Sequence, residues 1–397
     1  MKVLFINTVF DRGSTGRIVK DLGIAIEEKG GEYRVIYGRG TSKDPHAIRF
    51  TNNVDVFIHA LKARVFDRAG FYSARSTKRM IEYIKEYNPD IIHLHNLHGY
   101  YVNIKILFEY LKSEYKGKVV WTLHDCWAFT GHCTHYTAVG CEKWKSCCGK
   151  CIQKRDYPKS FFRDNSHNNY LEKKRLFTLL DDIKIIVVSD WLSKQVKDSF
   201  FKKYPITRIY NGIDHEIFRY VKSDIKNKFN AINKKIVLCV SDGWNARKGY
   251  NDILEWSKYV SKEVCFIIIG LEEKQIKSLP ENIIGLKRTH NIEELVQFYS
   301  AADLFFNPSK EETFGMVTAE AMACGTPVLA YNVTACPELI DDNSGRVVDD
   351  LLEVLNFQIE DKQVFDRDKI IKSSMRFDKK TVMKQTYDLY KDCLDED

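Results

Sequence analysis

The chain has 397 residues, 44% hydrophobic and 29% charged, with a net charge of +7. That is more chain than one ordinary core organises, so two domains of somewhat under two hundred residues each are expected. No apolar run approaches the ~20 residues that span a bilayer, and the opening MKVLFINTVF has too short an apolar stretch, and no cleavage site, for a signal peptide; a cytoplasmic chain with reduced cysteines is the expectation.

Strand-like runs follow in chain order at Val3–Asn7, Arg34–Tyr37, Asp90–His95, Val119–His124, Lys184–Ser189, Ile236–Ser241, Val264–Gly270, Ile283–Lys287, Asp303–Asn307 and Pro327–Ala330. Continuous Val/Ile/Leu strands alternating with helices predict parallel sheets covered on both faces, hence an α/β chain of two doubly wound domains. The passage between them is expected within Lys202–Lys235, which holds Pro205, the turn Asn211-Gly212 and the polar run KSDIKNKFNAINKK. No repeat beyond the βα alternation is visible. From about Asp378, Val382, Tyr387 and Tyr390 fall at helical spacing.

Charge is asymmetric. Residues 1–200 hold 33 Lys and Arg against 22 Asp and Glu, and the remainder 28 against 32. Lys62, Arg64, Arg68, Arg75, Lys78 and Arg79 interleave with Val65, Phe66, Phe71 and Tyr72, and a second basic stretch runs from Lys154 to Arg175. Such mixtures suit an anionic membrane surface or a lipid diphosphate; nucleic acid and a solvated helix face are the other readings.

Chemistry concentrates where predicted strands end, the edge at which open α/β sheets bind ligands. After ADLFFNPS, the segment KEETFGMVTAEAMACGTPVLA places Glu312 and Glu320 about a loop-to-helix junction. There Thr313 can cap the helix, Gly315 lets a ligand approach the backbone, and free N–H groups with the helix dipole favour a phosphate. A solvated helix-start carboxylate and an ordinary helix-face Glu are the bland alternative. In DRGSTGRI after the first strand, Gly13 and Gly16 permit close approach while Ser14 and Thr15 can cap; a packing turn would look the same. WTLHDCW sets His124 and Asp125 at another strand end, although nearby His93, His95 and His98 show that histidine abundance alone means little. In DGWNARKGY, Lys248 beside Gly249 is placed to neutralise a diphosphate, and Arg247 adds a planar fork. Finally, Cys148-x2-Cys151 and Cys133-x7-Cys141 offer four thiolates for a tetrahedral zinc, with Cys147 left over; in a reduced compartment this is favoured over disulfides, and the metal would be structural.

Glu312-x7-Glu320 with Phe314-Gly315, the closing Cys324-Gly325-Thr326-Pro327-Val328, IYNGID (Ile209–Asp214) and PELIDDNSGRVV (Pro337–Val348) together resemble the retaining glycosyltransferases of the GT-B fold, family 4 above all, a family with many bacterial polysaccharide-assembly enzymes. The resemblance implies two Rossmann-like domains facing across a cleft. An acceptor-side domain would span 1–205 with a Cys-rich insertion at 126–155, a nucleotide-sugar domain 206–376, and a C-terminal helix 377–397 would return to the first domain. It implies that Glu312 binds the donor sugar, Glu320 the nucleotide ribose and His124 the sugar near the reacting centre, while Lys248, the Phe314–Met316 amides and the loop at Gly13 assist the leaving diphosphate. The chain departs from the family pattern ahead of Lys248, where Asp242-Gly243 stands in place of an Arg near the strand end. Because no Asp-x-Asp motif is placed to hold the diphosphate, no cofactor is expected for catalysis. The implied partners are a nucleotide-sugar donor, a glycan or polyprenyl-diphosphate-linked acceptor, and the inner face of an anionic membrane, without nucleic acid. A capsule, exopolysaccharide or O-antigen would be the product. A nucleotide-sugar 2-epimerase on the same fold and a zinc-dependent nucleic-acid-binding module are the rival readings.

Overall fold

A computed structural model of the chain describes residues 1–357, 359 and 365–396. It divides into two compact units, Met1–Tyr210 with Met383–Asp397, and Asn211–Val382. The first holds a seven-stranded sheet built from β1 (Lys2–Asn7), β2 (Glu32–Tyr37), β3 (Ala47–Ile48), β4 (Ile91–Leu94), β5 (Lys118–Leu123), β6 (Lys184–Val187) and β7 (Ile206–Arg208), in the order β3-β2-β1-β4-β5-β6-β7. The second holds six strands, β8 (Lys235–Val240), β9 (Val264–Ile269), β10 (Ile283–Leu286), β11 (Leu304–Asn307), β12 (Val328–Tyr331) and β13 (Gly345–Val348), ordered β10-β9-β8-β11-β12-β13. Every paired strand in both sheets runs parallel to its neighbours.

The central strands are apolar because helices cover both faces: all six residues of β9, VCFIII, are buried, as are all four of β4 and of β11. In the second unit, Trp256 and Phe306 meet edge-on at 5.1 Å at the heart of the core. Asn103, Ser189 and Asn291 each accept a backbone N–H at a helix start, which fixes where those helices begin.

Strands β3, β7 and β13 were not expected from the sequence. All three are short edge strands; β7 is the half-exposed ITR inside the segment read as a passage, and β13 is the GRVV that closes PELIDDNSGRVV. An edge strand pairs on one side only, so it needs little of the apolar run that marks a central strand. β7 also carries the first unit on to Tyr210, beyond the boundary expected at residue 205. In the Lys379–Asp395 helix the residues from Met383 onward belong with the first unit, where the Tyr390 hydroxyl bonds His93 Nδ1. Among the described residues no helix is long and apolar enough to cross a membrane.

Candidate active site

In the second sheet the winding reverses between β8 and β11, and this is where a doubly wound sheet opens a crevice beyond its strand ends. The loops leaving these two strands carry Arg247-Lys248-Gly249 and Glu311-Glu312-Thr313-Phe314-Gly315. They touch at Gly249, whose φ is +72°, and a Cβ there would lie 2.1 Å from the Pro308 carbonyl oxygen. The Lys310 N–H donates to the Arg247 carbonyl at 2.8 Å, tying the loops again. Their product is an ion pair between residues 64 positions apart: Lys248 Nζ stands 2.5 Å from Glu312 Oε1, both side chains partly buried. Glu312 is held from behind, since its N–H donates to Thr334 Oγ1 at 2.8 Å and its carbonyl accepts from Ala335 N–H at 3.2 Å. Replacing Gly249 by Ala should cost about 3 kcal/mol, strain at positive φ adding to the clash. Urea unfolding measures this, and a loss under about 1 kcal/mol would mean that the loops tolerate separation.

Behind this pair the Met316–Ala323 helix begins at Gly315, with φ +102° and no side-chain cap. Thr313 therefore does not cap it, contrary to the sequence expectation; the chain turns through Gly315 instead, leaving the Met316 and Val317 N–H groups without an intrahelical acceptor. Phe314 is buried, its ring edge-on to Phe377 at 5.4 Å, so its side chain anchors the loop. Glu320 lies one turn deeper, 3% exposed, with Oε2 accepting from the Tyr299 hydroxyl at 3.0 Å. Lys310 pairs with Asp252 and lies 3.7 Å over the Tyr331 ring, and the Tyr331 hydroxyl donates to Asp252 at 2.6 Å. Sequence reasoning missed Asp252, Tyr299 and Tyr331: no local spacing links them to partners 21 to 79 positions away.

The first unit presents its own switch point between β1 and β4. Gly13, at φ +62°, has open space where a Cβ would go, whereas a Cβ on Gly16 would come 3.2 Å from the Phe10 backbone. Gly16 thus packs closely against the Phe10–Asp11 backbone. Ser14 and Thr15 do not cap the Gly13–Glu27 helix, because they lie inside its first turn; Arg12 is the N-cap, without a side-chain cap bond to the helix. At the end of β5, His124 Nε2 is 2.9 Å from His95 Nδ1 with the rings stacked, and burial lowers the His124 pKa to about 4, leaving the imidazole neutral near pH 7. Beside it, His98 Nε2 meets Asp125 Oδ2 at 2.7 Å and His98 Nδ1 meets the Tyr157 hydroxyl at 3.0 Å. Burial works to raise the Asp125 pKa, but His98 and the Trp127 N–H hold it below the usual carboxylate range.

The cysteines do not assemble as expected. All eleven are free thiols; Cys133 and Cys151 hydrogen-bond each other, and Cys148 Sγ accepts from the Gly131 N–H at 3.2 Å. No group of three or more His, Cys, Asp or Glu among the described residues is arranged to hold a metal ion, so the set Cys133, Cys141, Cys148, Cys151 is here a thiol pair with neighbours rather than a zinc tetrahedron. Buried Lys173 helps to pin this region: its Nζ lies 3.5 Å over the Trp127 ring and donates to the Trp127 and Thr130 carbonyls.

The sequence profile described as Glycosyltransferase Family 4 matches residues 15–217, and that described as Glycosyl transferases group 1 matches residues 234–356. Among characterised sequences, the putative colanic acid biosynthesis glycosyl transferase WcaC of Escherichia coli (strain K12) is 24% identical over 364 residues, covering 88% of this chain and 87% of that one. Sucrose-phosphate synthase from Thermosynechococcus elongatus superposes with a TM-score of 0.70 at 18% identity, covering all of both chains. HepE from Anabaena, solved in complex with UDP, superposes with a TM-score of 0.69 at 18% identity, covering 99% of this chain and 100% of that one. At such identities these likenesses establish a fold, GT-B.

Proposed function

Since the chain belongs to glycosyltransferase family 4, we propose that it transfers a sugar, with retention of anomeric configuration, from a nucleotide diphosphate sugar to a hydroxyl of a lipid-linked bacterial surface glycan. That it is a glycosyltransferase follows from the family; donor type, stereochemistry and acceptor are the proposal. The observation that carries it is the Lys248–Glu312 pair at the switch point of the second sheet, one residue pair from a helix start with open amides.

The geometry suits a diphosphate that leaves as charge develops on it. Lys248 and the Met316 and Val317 amides offer positive potential fixed in place, and Arg247 adds a second cation on the same loop. Glu312 exchanges Lys248 for the donor-sugar hydroxyls when donor binds. Glu320, oriented by Tyr299, accepts from the ribose hydroxyls. On the first unit, neutral His124 offers a hydrogen bond to a sugar hydroxyl without adding a charge. No divalent metal is invoked for the diphosphate. Two likenesses support the donor and product classes: HepE was solved with UDP, and WcaC is described as acting in colanic acid biosynthesis. The basic, aromatic-rich surface of the first unit supports work at the inner face of an anionic membrane.

A thermal-shift series with UDP-, GDP- and other nucleotide sugars tests the reading. One of them should stabilise the wild-type chain at millimolar concentration, and Glu320→Ala should weaken its binding about tenfold while changing kcat little. Donor consumed without acceptor to give an epimeric nucleotide sugar would transfer the assignment to a 2-epimerase; no stabilisation by any donor would remove it.

A further inference from the structure

The first unit carries a row of three histidine rings that runs from its core to the end of β5. His93 lies on β4 and His95 just after it, each no more than 1% exposed, with ring centroids 4.2 Å apart. His124, half-buried just after β5, stacks on His95 at 5.2 Å with the ring planes 14° apart. The stack follows from the parallel pairing of β4 with β5, which aligns Leu94 with Trp121 and brings both strand ends to one edge. Neighbours hold His95 closely. Its N–H donates to the Ile6 carbonyl at 2.9 Å, its carbonyl accepts from Trp121 Nε1 at 2.9 Å, and the Phe5 ring packs against the imidazole at 5.9 Å.

Burial keeps the His95 and His124 rings neutral near pH 7. A neutral imidazole carries one proton on its two ring nitrogens, so the 2.9 Å bond between His95 Nδ1 and His124 Nε2 has one donor and one acceptor. Two arrangements satisfy that bond, and the far nitrogen of His95 separates them. His95 Nε2 is buried without a hydrogen-bond partner among the described residues. The adjacent His93 supplies none, because its own nitrogens meet the Tyr390 hydroxyl and Thr122 Oγ1. Were His124 to donate, the His95 proton would sit on Nε2 and aim an N–H where no such partner stands. Were His95 to donate, Nε2 would keep only a lone pair there. A buried N–H is left unpaired less often than a buried acceptor, since a lone pair is tolerated beside the C–H edges of neighbouring rings. The second arrangement is therefore the stable one: His95 Nδ1–H donates to His124 Nε2, and the His124 proton is confined to Nδ1.

We propose that His95 is a positioning residue that locks His124 in the Nδ1–H tautomer, so that His124 meets a substrate oxygen only as a hydrogen-bond donor. The inference deepens the reading above, in which His124 bonds a hydroxyl of the donor sugar, and rests on it for the identity of that oxygen. Held this way, His124 selects a group that can accept, a hydroxyl or carboxylate oxygen, and disfavours an ammonium at the same place. Long-range proton–nitrogen correlation spectra of the full chain, isotopically labelled at the histidine nitrogens, read the tautomer of each ring, with peaks assigned by substituting His95 and His124 in turn. In the wild type near pH 7 both rings should show a protonated Nδ1 and a bare Nε2. His95→Phe keeps an aromatic ring but removes the donor; His124 should then exchange between its two tautomers, and kcat/KM for transfer should fall about tenfold. His95→Asn sets an amide nitrogen near the place of Nδ1, so it should restore the His124 tautomer and most of the activity. A protonated Nε2 on His124 in the wild type overturns the proposal. So does an unchanged His124 tautomer in His95→Phe, and so do equal losses of activity in the two variants, which would make His95 a packing residue. The spectra need no ligand: if no nucleotide sugar stabilises the wild type, the transferase reading fails while the tautomer is still decided.

Discussion

Replacing Glu312 by Gln will lower kcat/KM for transfer by about a thousandfold, and replacing Lys248 by Met will do about the same. In the proposed reaction each acts where charge moves, the carboxylate on the sugar that departs and the ammonium on the diphosphate that leaves it. In the free chain the two neutralise each other across 2.5 Å in a partly buried place. Removing either also takes away the opposite charge that the other faces, at a cost that the double variant Glu312→Gln/Lys248→Met escapes. The double variant should lose far less than the product of the single losses, because the pair works as one device. Steady-state kinetics on all four proteins gives the coupling. Additive losses would mean that the pair acts as two independent groups, and losses below about threefold in both single variants would return them to a structural ion pair.

The second large effect concerns acid. His59, His93 and His95 lie in the core of the first unit, each no more than 1% exposed. Burial carries His59 and His93 down to about 3 and His95 well below its ordinary value; the His59 and His93 rings bond the uncharged neighbours Ser73, Thr122 and Tyr390, and His95 Nδ1 meets the neutral His124 ring. The folded chain thus leaves them unprotonated at pH values where the unfolded chain protonates them. Their contribution is fully present above the unfolded pKa near 6.5 and falls as pH drops from there towards the folded values. With His124, which burial lowers to about 4, four such groups give a slope of about 5 kcal/mol per pH unit near pH 5. His132 works in the opposite sense, since burial would lower its pKa but Asp67 raises it; it is one group against four. Urea unfolding between neutral pH and about pH 5 should show the fall, and His95→Asn should reduce the slope by about 1.4 kcal/mol per pH unit. A stability constant over that range would contradict the neutral core.

These effects arise at different distances along the chain, and that distance decides how much could be read in advance. The central strands announce themselves locally, because a strand buried on both faces must be apolar throughout, as in Val264–Ile269. Glu312, Glu320 and Lys248 stood out as candidates as well, since each sits beside a glycine or helix start within one short segment. Edge strands such as Ile206–Arg208 escaped, having only one partner to satisfy. The expected caps at Thr313 and at Ser14 and Thr15 failed because a capping residue in sequence does not fix where the helix takes its first turn; Gly315 and Arg12 took those places. The four thiols of the zinc set are not arranged as a metal site among the described residues, since spacing supplies thiolates but not the directions in which they point.

By itself, the sequence determined the α/β class, the two doubly wound units and the family, since all of these depend on residues within a few turns of one another. Only the tertiary structure decided that Lys248 meets Glu312, that Tyr299 holds Glu320, and that His98 takes Asp125. Such pairings are set by which strands become neighbours in the sheet. A parallel sheet joins strands far apart in the chain, so its site chemistry is written in contacts that no local pattern records.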